Sequence, residues 1–438
     1  MRQIGRVMIA GAFLVCVLRA QSGPALRVQP VDGLVDAPTT IVASGLPAKQ
    51  QVTISARALD GHDQAFASQA RFTADEHGVV DLSVAKASGS YSGVDAMGLF
   101  WSLEPEKRAS GDAEQRFALG AAPVRYEFTV LVDNRPVAKA EATRRRSGAG
   151  TRVVQVNDRS LVASVTIPAG EGRHPAILHF GGSEGGLPRD PVRSELLASR
   201  GYVVMSLAYF NAPGLPPVLE NVPLEYFRAA LDWLKNQPYV DASRMGVMSA
   251  SRGSEAALLL ACLYPDVRAV VAIAPSSVVW GGFDPNERRA TGASAWSYQG
   301  HSVSDVTALG GACGRRGLRG PDLFRCALME YHEAVMRASI PVEKAAAPLL
   351  LIAGLDDGVW PSDMMAKQIE DRRQRAHANG NDVVLYLPHA GHTFPVWYGP
   401  AALNLRQIGG TREGAAKAFA QAWPALLHFL HVNLGGDE

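Results

Sequence analysis

The sequence predicts an α/β protein in two parts: an all-β sandwich, then a mostly parallel sheet covered by helices on both faces. Three observations predict this fold. Short β-type runs separated by turn residues fill residues 25–145, strands alternate with helices over residues 151–438, and one apolar run passes through a serine directly into a helix. With 438 residues and 47% hydrophobic content, the chain can bury a large core and exceeds the usual size of one domain.

The first 20 residues have the pattern of a signal peptide. A basic start with Arg2 and Arg6 precedes a short apolar stretch at residues 7–18, and Ala20 follows closely. The apolar stretch is too short to span a bilayer comfortably and has the length of a signal-peptide core. We therefore predict export to the periplasm or the exterior, with cleavage near Ala20 and no membrane span in the mature protein. The alternatives are a loose anchor and a misassigned start, which would leave the protein in the cytoplasm.

Residues 25–145 predict an immunoglobulin-like sandwich. Runs at 51–57, 79–84 and 126–132 alternate or carry β-branched residues, and Gly, Pro and Asp separate them. The polar stretch at 142–150 predicts a hinge before the second domain.

The second domain, residues 151–438, has the alternation of strands and helices that is typical of a parallel sheet. The predicted strands include 174–180, 349–353 and 382–387, and the predicted helices include 224–236 and 415–434. A long insertion at about 280–340 carries several aromatic residues. We expect it to form a cap that shapes a substrate pocket.

Ser251 lies where a short apolar run ends and a helical stretch begins, in the string Ser249-x-Ser251-x-Gly253. A serine hydroxyl needs such a tight strand-to-helix turn to stand clear of the chain as a nucleophile. The flanking positions must be small because strand and helix backbones approach closely there, and Ser249 replaces the usual first glycine. The helix N-terminus adds a positive dipole end that favours an oxyanion.

An acid and a base follow Ser251 in the chain order that α/β-hydrolases use. Asp357 comes three residues after the glycine that ends a buried strand, and is the first choice for the acid, with Asp356 as the alternative. His392 follows a glycine in the loop after the next strand and is the predicted general base, with His389 as the competing candidate. The structural alternatives are a helix N-cap for the aspartates and a surface position for the histidine.

A glycine-rich turn at residues 181–186 follows the predicted strand at 174–180 and is the candidate oxyanion site. Glycines allow backbone N–H groups to point at a developing negative charge. We expect one donor from Gly182 or Ser183 and the other from the N–H of Arg252. The alternatives are a flexible glycine-rich turn and a phosphate loop, but the missing Gly-Lys-Ser/Thr ending argues against a nucleotide-binding loop.

The net charge of +1 gives no electrostatic case for a nucleic-acid partner. No cofactor and no metal are predicted, and the oligomeric state is left open. Cys313 and Cys326 bracket a basic loop and could form a disulfide in an oxidising compartment, although their spacing alone does not prove the geometry. Cys262 falls on the helix after Ser251, where a buried apolar thiol is the ordinary expectation.

The chain resembles the acyl-CoA thioesterase and bile acid-CoA:amino acid N-acyltransferase family over nearly the whole mature length. The resemblance lies in residues 30–36 and 90–102 of the first domain and, in the second, in the turn around Ser251 and residues 354–362 and 390–392. It implies an α/β-hydrolase domain behind a β-sandwich, and activity on acyl thioesters of coenzyme A. The family's nucleophile, acid and base match Ser251, Asp357 and His392.

Two departures from the family affect the predicted reaction. The amide-forming branch carries a cysteine nucleophile, so Ser251 favours hydrolysis by water over amino-acid conjugation. Coenzyme A is intracellular, so an exported enzyme could instead be a carboxylesterase or a dienelactone-hydrolase-like enzyme acting on other small-molecule esters.

The insertion at 280–340 holds the candidate substrate contacts. Arg315, Arg316 and Arg319 could meet the phosphates of coenzyme A, although a solvated basic loop is the alternative. Trp280 is a candidate wall of the acyl pocket and, equally, a member of the cap's own core.

Overall fold

The computed structural model describes residues 23–107, 116–156, 158, 160–188, 191–309, 311–378, 380–393, 395, 397–400 and 405–437. The predicted signal peptide at residues 1–20 lies outside this part of the chain and stays a prediction. No helix in the described ranges is both long enough and apolar enough to cross a membrane.

The described residues of the first domain form eleven strands and one short helix. In chain order they are β1 (Ala25–Gln29), β2 (Asp32–Leu34), β3 (Thr40–Ser44), β4 (Gln51–Leu59), β5 (Ala65–Thr73), β6 (Val80–Asp81), β7 (Ala87–Gly89), β8 (Ser92–Gly93), α1 (Gly98–Trp101), β9 (Glu104–Pro105), β10 (Val124–Val132) and β11 (Arg135–Arg145). Strands β1, β3 and β6 form one sheet, and the others form a second sheet in the order β2-β11-β10-β4-β5-β7-β8, with β9 beside β5.

The long strands of the first domain bury alternate residues, as the sequence pattern predicts. In β4, for example, Val52, Ile54, Ala56 and Ala58 are buried while their neighbours are more exposed. Residues from both sheets join one apolar core. The β-rich character of this domain is therefore confirmed, whereas its immunoglobulin-like topology stays a prediction.

The second domain contains the remaining elements. They are β12 (Arg152–Gln155), β13 (Val162–Ile167), β14 (His174–Phe180), α2 (Val192–Ala198), β15 (Val203–Ala208), β16 (Val222–Pro223), α3 (Leu224–Lys235), β17 (Val240–Ala250), α4 (Arg252–Leu263), β18 (Ala269–Ile273), β19 (Gly281–Asp284), β20 (Arg289–Ser294), β21 (Trp296–Tyr298), β22 (His301–Ser302), α5 (Ala312–Arg315), α6 (Gly320–Glu330), α7 (His332–Ala338), a 3₁₀ turn (Val342–Lys344), β23 (Leu349–Gly354), α8 (Ser362–Arg375), β24 (Val383–Leu387), α9 (Leu405–Ile408) and α10 (Arg412–Leu434).

Eight strands of the second domain form the central sheet, in the order β12-β13-β15-β14-β17-β18-β23-β24. β13 runs antiparallel to both of its neighbours, and all the other pairs are parallel. Helices α3, α4 and α8 cover one face and α2 and α10 cover the other, so the inner strands are buried throughout. This is the α/β-hydrolase fold that the sequence predicts.

Two local predictions for the first domain are wrong. The run at 79–84 yields only the two-residue strand β6, because Asp81 accepts hydrogen bonds from the backbone N–H and hydroxyl of Ser83 and the chain turns there. The stretch at 142–150 is not a free hinge, because β11 continues to Arg145 and the next residue, Arg146, pairs with Glu195 on α2. The polar residues of this stretch belong to the contact between the domains.

A buried carboxylate contributes to the contact between the two domains, whose apolar residues also share one core. Asp36, from the first domain, accepts hydrogen bonds at Oδ2 from the Trp423 indole and the Arg200 guanidinium, each at 2.6 Å. Burial raises the pKa of Asp36, and the Arg200 charge opposes that rise. Trp423 belongs to α10, so this contact fixes the sandwich against the helix that backs the sheet.

We expect Asp36→Ala to lower the free energy of unfolding by about 3 kcal/mol, because the Arg200 and Trp423 donors would lose their buried partner. Urea unfolding followed by circular dichroism measures this loss. Asp32→Ala is the matched control, since Asp32 pairs with Arg145 at an exposed site of the same domain and should contribute less than about 1 kcal/mol. Equal losses in the two variants would contradict the structural role given to Asp36.

The segment between β18 and β23, where a cap is predicted, lies near the carboxyl end of β17, because several of its residues line one cavity together with Ser251. Its own core contains Trp280 and Val306, together with Leu323 from α6. Cys313 and Cys326 form a disulfide within it, with Cα atoms 5.9 Å apart. Both sulfur atoms also belong to a group with Glu330 that has metal-ligand spacing, but disulfide sulfurs are not available as thiolate ligands.

Candidate active site

The turn that carries Ser251 connects β17 to α4. Ser251 has φ 56° and ψ −130°, a left-handed backbone that non-glycine residues seldom adopt. A side chain on Gly253 would overlap the Ser249 hydroxyl and the carbonyl oxygen of Gly181. The position therefore requires glycine, and the turn has the tight form that the sequence predicts.

Ser251, His392 and Asp357 form a continuous chain of hydrogen bonds. His392 Nε2 lies 2.8 Å from the Ser251 hydroxyl oxygen, and His392 Nδ1 lies 3.0 and 2.9 Å from the two carboxylate oxygens of Asp357. His392 and Asp357 are each 7% exposed. Three residues from distant parts of the chain thus meet at the carboxyl ends of β17, β23 and β24 in a site sheltered from water.

Asp357 is held in place by the turn after β23. Its Oδ1 accepts hydrogen bonds from the backbone N–H groups of Val359 and Trp360, at 2.8 and 3.2 Å. The Trp360 ring lies edge-on to the imidazole of His392, with centroids 5.4 Å apart. The backbone N–H of His392 also donates to the carbonyl oxygen of Ile408 at 2.7 Å. The positions of Asp357 and His392 are therefore both fixed before any ligand binds.

The competing candidates, Asp356 and His389, contact each other instead of Ser251. His389 Nδ1 lies 3.3 Å from an Asp356 carboxylate oxygen, and the two side chains are 74% and 49% exposed. They form a surface pair beside the buried one. The geometry thus favours the first choices, Asp357 and His392.

The glycine-rich turn after β14 lies directly against the Ser251 turn. A Cβ placed on Gly182 would lie 3.0 Å from the Cβ of Ser251. The N–H of Arg252 belongs to the first turn of α4, where backbone N–H groups have no partner within the helix. The N–H of Gly182, however, donates to Oε1 of Glu184 at 3.0 Å.

Two hydroxyl groups hold this turn through hydrogen bonds to its backbone carbonyl oxygens. The Ser249 hydroxyl donates to the carbonyl oxygens of Phe180 and Gly181, at 2.8 and 3.3 Å, and the Tyr209 hydroxyl donates to that of Gly182 at 2.7 Å. Ser249, which replaces the usual glycine, thus links the nucleophile turn to the candidate oxyanion turn.

A cavity of about 920 Å³ opens above Ser251 and is walled on one side by the cap. Ser183, Trp280 and Arg319 line it. Trp280 is also a member of the cap core, because its ring packs against Phe324 and is 1% exposed.

The other two candidate substrate contacts do not reach the cavity. Arg316 forms an ion pair with Glu330 at the surface of the cap, and Arg315 is exposed on the same loop. The chain turns between these arginines and Arg319, so only Arg319 faces the site. For Arg315 and Arg316 the geometry therefore favours the alternative, a solvated basic loop, over contact with substrate.

Glu255, on α4, is fully buried behind the nucleophile and anchors the cap. Its Oε2 accepts from the Trp296 indole at 3.0 Å and from the backbone N–H of Trp280 at 3.2 Å, and its Oε1 lies 3.2 Å from the Arg252 guanidinium. Burial raises the pKa of Glu255 from 4.5 to about 7, and the Arg252 charge opposes that rise. Both cap tryptophans are thus attached to the helix that begins at Ser251.

Glu255 is expected to make the protein less stable as the pH rises from about 4.5 to about 7. In that window the unfolded chain releases the proton that Glu255 keeps in the folded protein, so the contribution of Glu255 to the free energy of unfolding falls with pH. In Glu255→Gln this fall should disappear, whereas Glu171→Gln, at an exposed position, should behave like the wild type. Urea unfolding at pH 5, 6, 7 and 8 measures the difference. Parallel curves for wild type and Glu255→Gln would rule out this titration.

Comparison with known proteins identifies the family of this chain. The family model described as "BAAT / Acyl-CoA thioester hydrolase C terminal" matches residues 222–436, and "Acyl-CoA thioester hydrolase/BAAT N-terminal region" matches residues 36–158. Acyl-coenzyme A thioesterase 1 of Rattus norvegicus is 30% identical over 424 residues, which cover 92% of this chain and 95% of that protein. The chain belongs to the acyl-CoA thioester hydrolase/BAAT family.

Members of the acyl-CoA thioester hydrolase/BAAT family with different names resemble this chain to a similar degree. Acyl-coenzyme A thioesterase 6 of Mus musculus is 30% identical over 420 residues, covering 92% of this chain and 95% of that protein. Acyl-coenzyme A amino acid N-acyltransferase 1 of Mus musculus is 32% identical over 432 residues, covering 92% and 96%. Overall identity therefore does not separate the two activities that these names describe.

Sequence reasoning did not find four residues of this site: Glu184, Ser249 as a hydrogen-bond donor, Glu255 and Trp360. Two of these four residues could have been recognised from their sequence context. Glu184 is an acidic residue inside a run of glycines, and Glu255 is an acidic residue in an otherwise apolar stretch of helix. A charged residue in such a position usually has a specific partner.

Proposed function

We propose that this protein is a serine-dependent acyl thioester hydrolase that acts on acyl-CoA esters. The observation that carries the proposal is the hydrogen-bonded chain of Ser251, His392 and Asp357 at the floor of the cavity. A serine hydroxyl becomes a nucleophile when an oriented base takes its proton. The relatives named acyl-coenzyme A thioesterases support the choice of a thioester substrate.

Acylation begins when the Ser251 oxygen attacks the acyl carbonyl carbon and His392 Nε2 takes the hydroxyl proton. Asp357, held by the N–H groups of Val359 and Trp360, accepts from His392 Nδ1–H and stabilises the imidazolium that forms. Backbone N–H groups of Arg252 and of the Gly182 turn stabilise the oxyanion. The carbon–sulfur bond then breaks, and His392 gives its proton to the leaving thiolate.

Deacylation repeats the same steps with water. His392 takes a proton from a water molecule, whose oxygen attacks the acyl-Ser251 ester, and the proton then passes to the Ser251 oxygen as the carboxylic acid leaves. No cofactor or metal enters either half of the reaction as proposed.

The cavity fits an apolar acyl group with a polar leaving group. Phe324, Leu323 and Trp280 from the cap contribute apolar wall, while Arg319, a cationic residue, lines the same cavity. We propose that Arg319 meets a phosphate of the leaving group, since guanidinium groups pair with phosphates through two parallel hydrogen bonds.

The test compares turnover of palmitoyl-CoA with that of p-nitrophenyl palmitate, using Ser251→Ala as the control. The proposal expects release of coenzyme A, detected with a thiol reagent, that depends on Ser251. Turnover of the nitrophenyl ester without turnover of the CoA ester would instead make the protein a carboxylesterase of the kind that the predicted export favours.

A second candidate function is acyl transfer to an amino acid, because an amino acid N-acyltransferase is among the relatives that resemble this chain to the same degree. A serine ester intermediate favours water as the acceptor. Adding glycine at millimolar concentration and measuring N-acylglycine by mass spectrometry distinguishes the two functions. Amide formation faster than acid release would assign the protein to acyl transfer.

We also propose that residues 1–20 are removed on export. The basic start and the short apolar stretch support this proposal. N-terminal sequencing of the mature protein tests it, and an intact Met1 in the functional protein would overturn it.

A further inference from the structure

Glu184 lies in the glycine-rich turn between β14 and α2, and its side chain folds back over that turn. Its Oε1 accepts the N–H of Gly182 at 3.0 Å. A Cβ placed on Gly182 would lie 3.2 Å from Oε2 of Glu184 and 3.0 Å from Cβ of Ser251. Glu184 and Ser251 also line the same cavity. An acidic side chain thus occupies a backbone donor of the candidate oxyanion site, next to the nucleophile.

This arrangement conflicts with the chemistry proposed for the site. A backbone N–H that already donates to a carboxylate is not free to bind the oxyanion, and the carboxylate charge repels the negative charge that develops there. Loss of one oxyanion donor costs about 10² to 10³ in kcat in hydrolases of this type. Glu184 must therefore leave Gly182 before or during acylation if that donor is used.

The turn does not need the Glu184 side chain to keep its shape. The hydroxyl groups of Ser249 and Tyr209 hold the carbonyl oxygens of Gly181 and Gly182 from the other side. The side-chain amide of Asn211 holds the carbonyl oxygen of Glu184 itself at 3.0 Å. With the backbone fixed in this way, the Glu184 side chain can rotate away and leave the N–H of Gly182 in position.

We propose that Glu184 is a displaceable occupant of the oxyanion site, which the substrate carbonyl must replace at the N–H of Gly182. This inference rests on the proposed function, because it assumes an oxyanion formed at Ser251. It makes Glu184 a specificity-determining residue: weakly polarised carbonyls compete poorly with its carboxylate, whereas groups that readily become tetrahedral anions displace it.

The experiment measures the affinity of a butylboronic acid, which forms a tetrahedral anion on a nucleophilic serine, in wild type, Glu184→Gln and Glu184→Ala. In Glu184→Ala we expect the inhibition constant to fall about tenfold, because both the competing acceptor and its charge are gone. Glu184→Gln loses the charge but keeps an oxygen that can accept the Gly182 N–H, so its gain should be smaller. kcat for butyryl-CoA should rise in the same order with little change in KM.

Glu171→Gln is the matched control, since it removes one negative charge at an exposed position outside the cavity and should leave both readouts unchanged. Circular dichroism and the midpoint of urea unfolding establish that each variant is folded. A rise in kcat at unchanged KM would not result from a general loosening of the turn.

The outcomes separate this inference from the proposed function. If Ser251→Ala does not weaken boronate binding, Ser251 is not the nucleophile. If Ser251→Ala does weaken it while Glu184→Ala gains less than about threefold in affinity, or loses affinity, then Glu184 shapes the turn and is not a displaceable occupant.

Discussion

Ser251→Ala is expected to lower kcat for thioester hydrolysis by roughly 10⁶-fold, because it removes the oxygen that forms the acyl intermediate while the backbone N–H donors and the cavity remain. KM for the thioester should change far less than kcat, since the cavity walls are untouched. Steady-state assays with the purified variant, at enzyme concentrations high enough to detect residual turnover, measure both constants.

Ser254→Ala provides the matched control for that loss. Ser254 lies one turn further along α4, is fully buried, and its hydroxyl accepts the backbone N–H of Ser276 rather than facing the cavity. Its replacement should cost about 1 kcal/mol of stability and leave kcat within a few-fold of wild type. Comparable losses of kcat in the two variants would show that α4 is sensitive to any serine replacement, and would remove the evidence for Ser251 as the nucleophile.

Asp357→Asn is expected to lower kcat by about 10⁴-fold without changing the fold. Oδ1 of Asp357 accepts two backbone N–H groups, from Val359 and Trp360, so an asparagine must keep its oxygen there. Its amide nitrogen then takes the place of Oδ2, 2.9 Å from His392 Nδ1. A donor facing Nδ1 leaves the histidine proton on Nε2, which prevents that nitrogen from accepting the Ser251 proton.

Asp356→Asn is the control for this prediction, because it makes the same chemical change one residue earlier at an exposed position. It should retain kcat within about twofold, since the pair of Asp356 and His389 lies at the surface. The pH dependence of kcat/KM adds a second readout, because only the change at Asp357 alters the base that takes the serine proton. A larger loss in Asp356→Asn than in Asp357→Asn would exchange the roles of the two aspartates.

The local pattern of apolar residues predicted the fold well, because the strands and helices of the second domain have distinct patterns in the sequence. The apolar run predicted at 174–180 is β14 without a change of boundary, and the helix predicted at 224–236 ends one residue earlier, at Lys235. Strands buried on both faces have continuous apolar runs, and the longest helix, α10, has a capping threonine at its start and a glycine at its end. Chain order after the Ser251 turn then pointed to Asp357 and His392, which the structure places in a hydrogen-bonded chain with Ser251.

Features that depend on three-dimensional contacts were not predictable from the sequence. The sequence ranks Asp357 ahead of Asp356 but leaves both open, because adjacent residues after a strand point in different directions and only the turn geometry selects one of them. The arginines at 315, 316 and 319 look equivalent in sequence, but the ion pair with Glu330 keeps Arg316 at the surface. The side chain of Glu184 finds its partner, the N–H of Gly182, only because the turn folds back.

The polar stretch at 142–150 is another feature that depends on three-dimensional contacts and that the sequence alone does not predict. Arginine-rich segments are usually solvated, and the sequence alone predicts a hinge. In the structure, however, the guanidinium of Arg144 is buried and donates to Pro30 and Thr39, while Arg146 pairs with Glu195. Partners from distant parts of the chain turn this stretch into a fixed contact.

Labelling with an alkyl fluorophosphonate, with the adduct located by peptide mass spectrometry, shows whether Ser251 is the nucleophile of an acyl-transfer site. We expect one adduct, on the peptide that contains Ser251, which is absent in Ser251→Ala and forms much more slowly in Asp357→Asn. An adduct on another serine, or no adduct in a preparation that hydrolyses thioesters, would contradict this expectation.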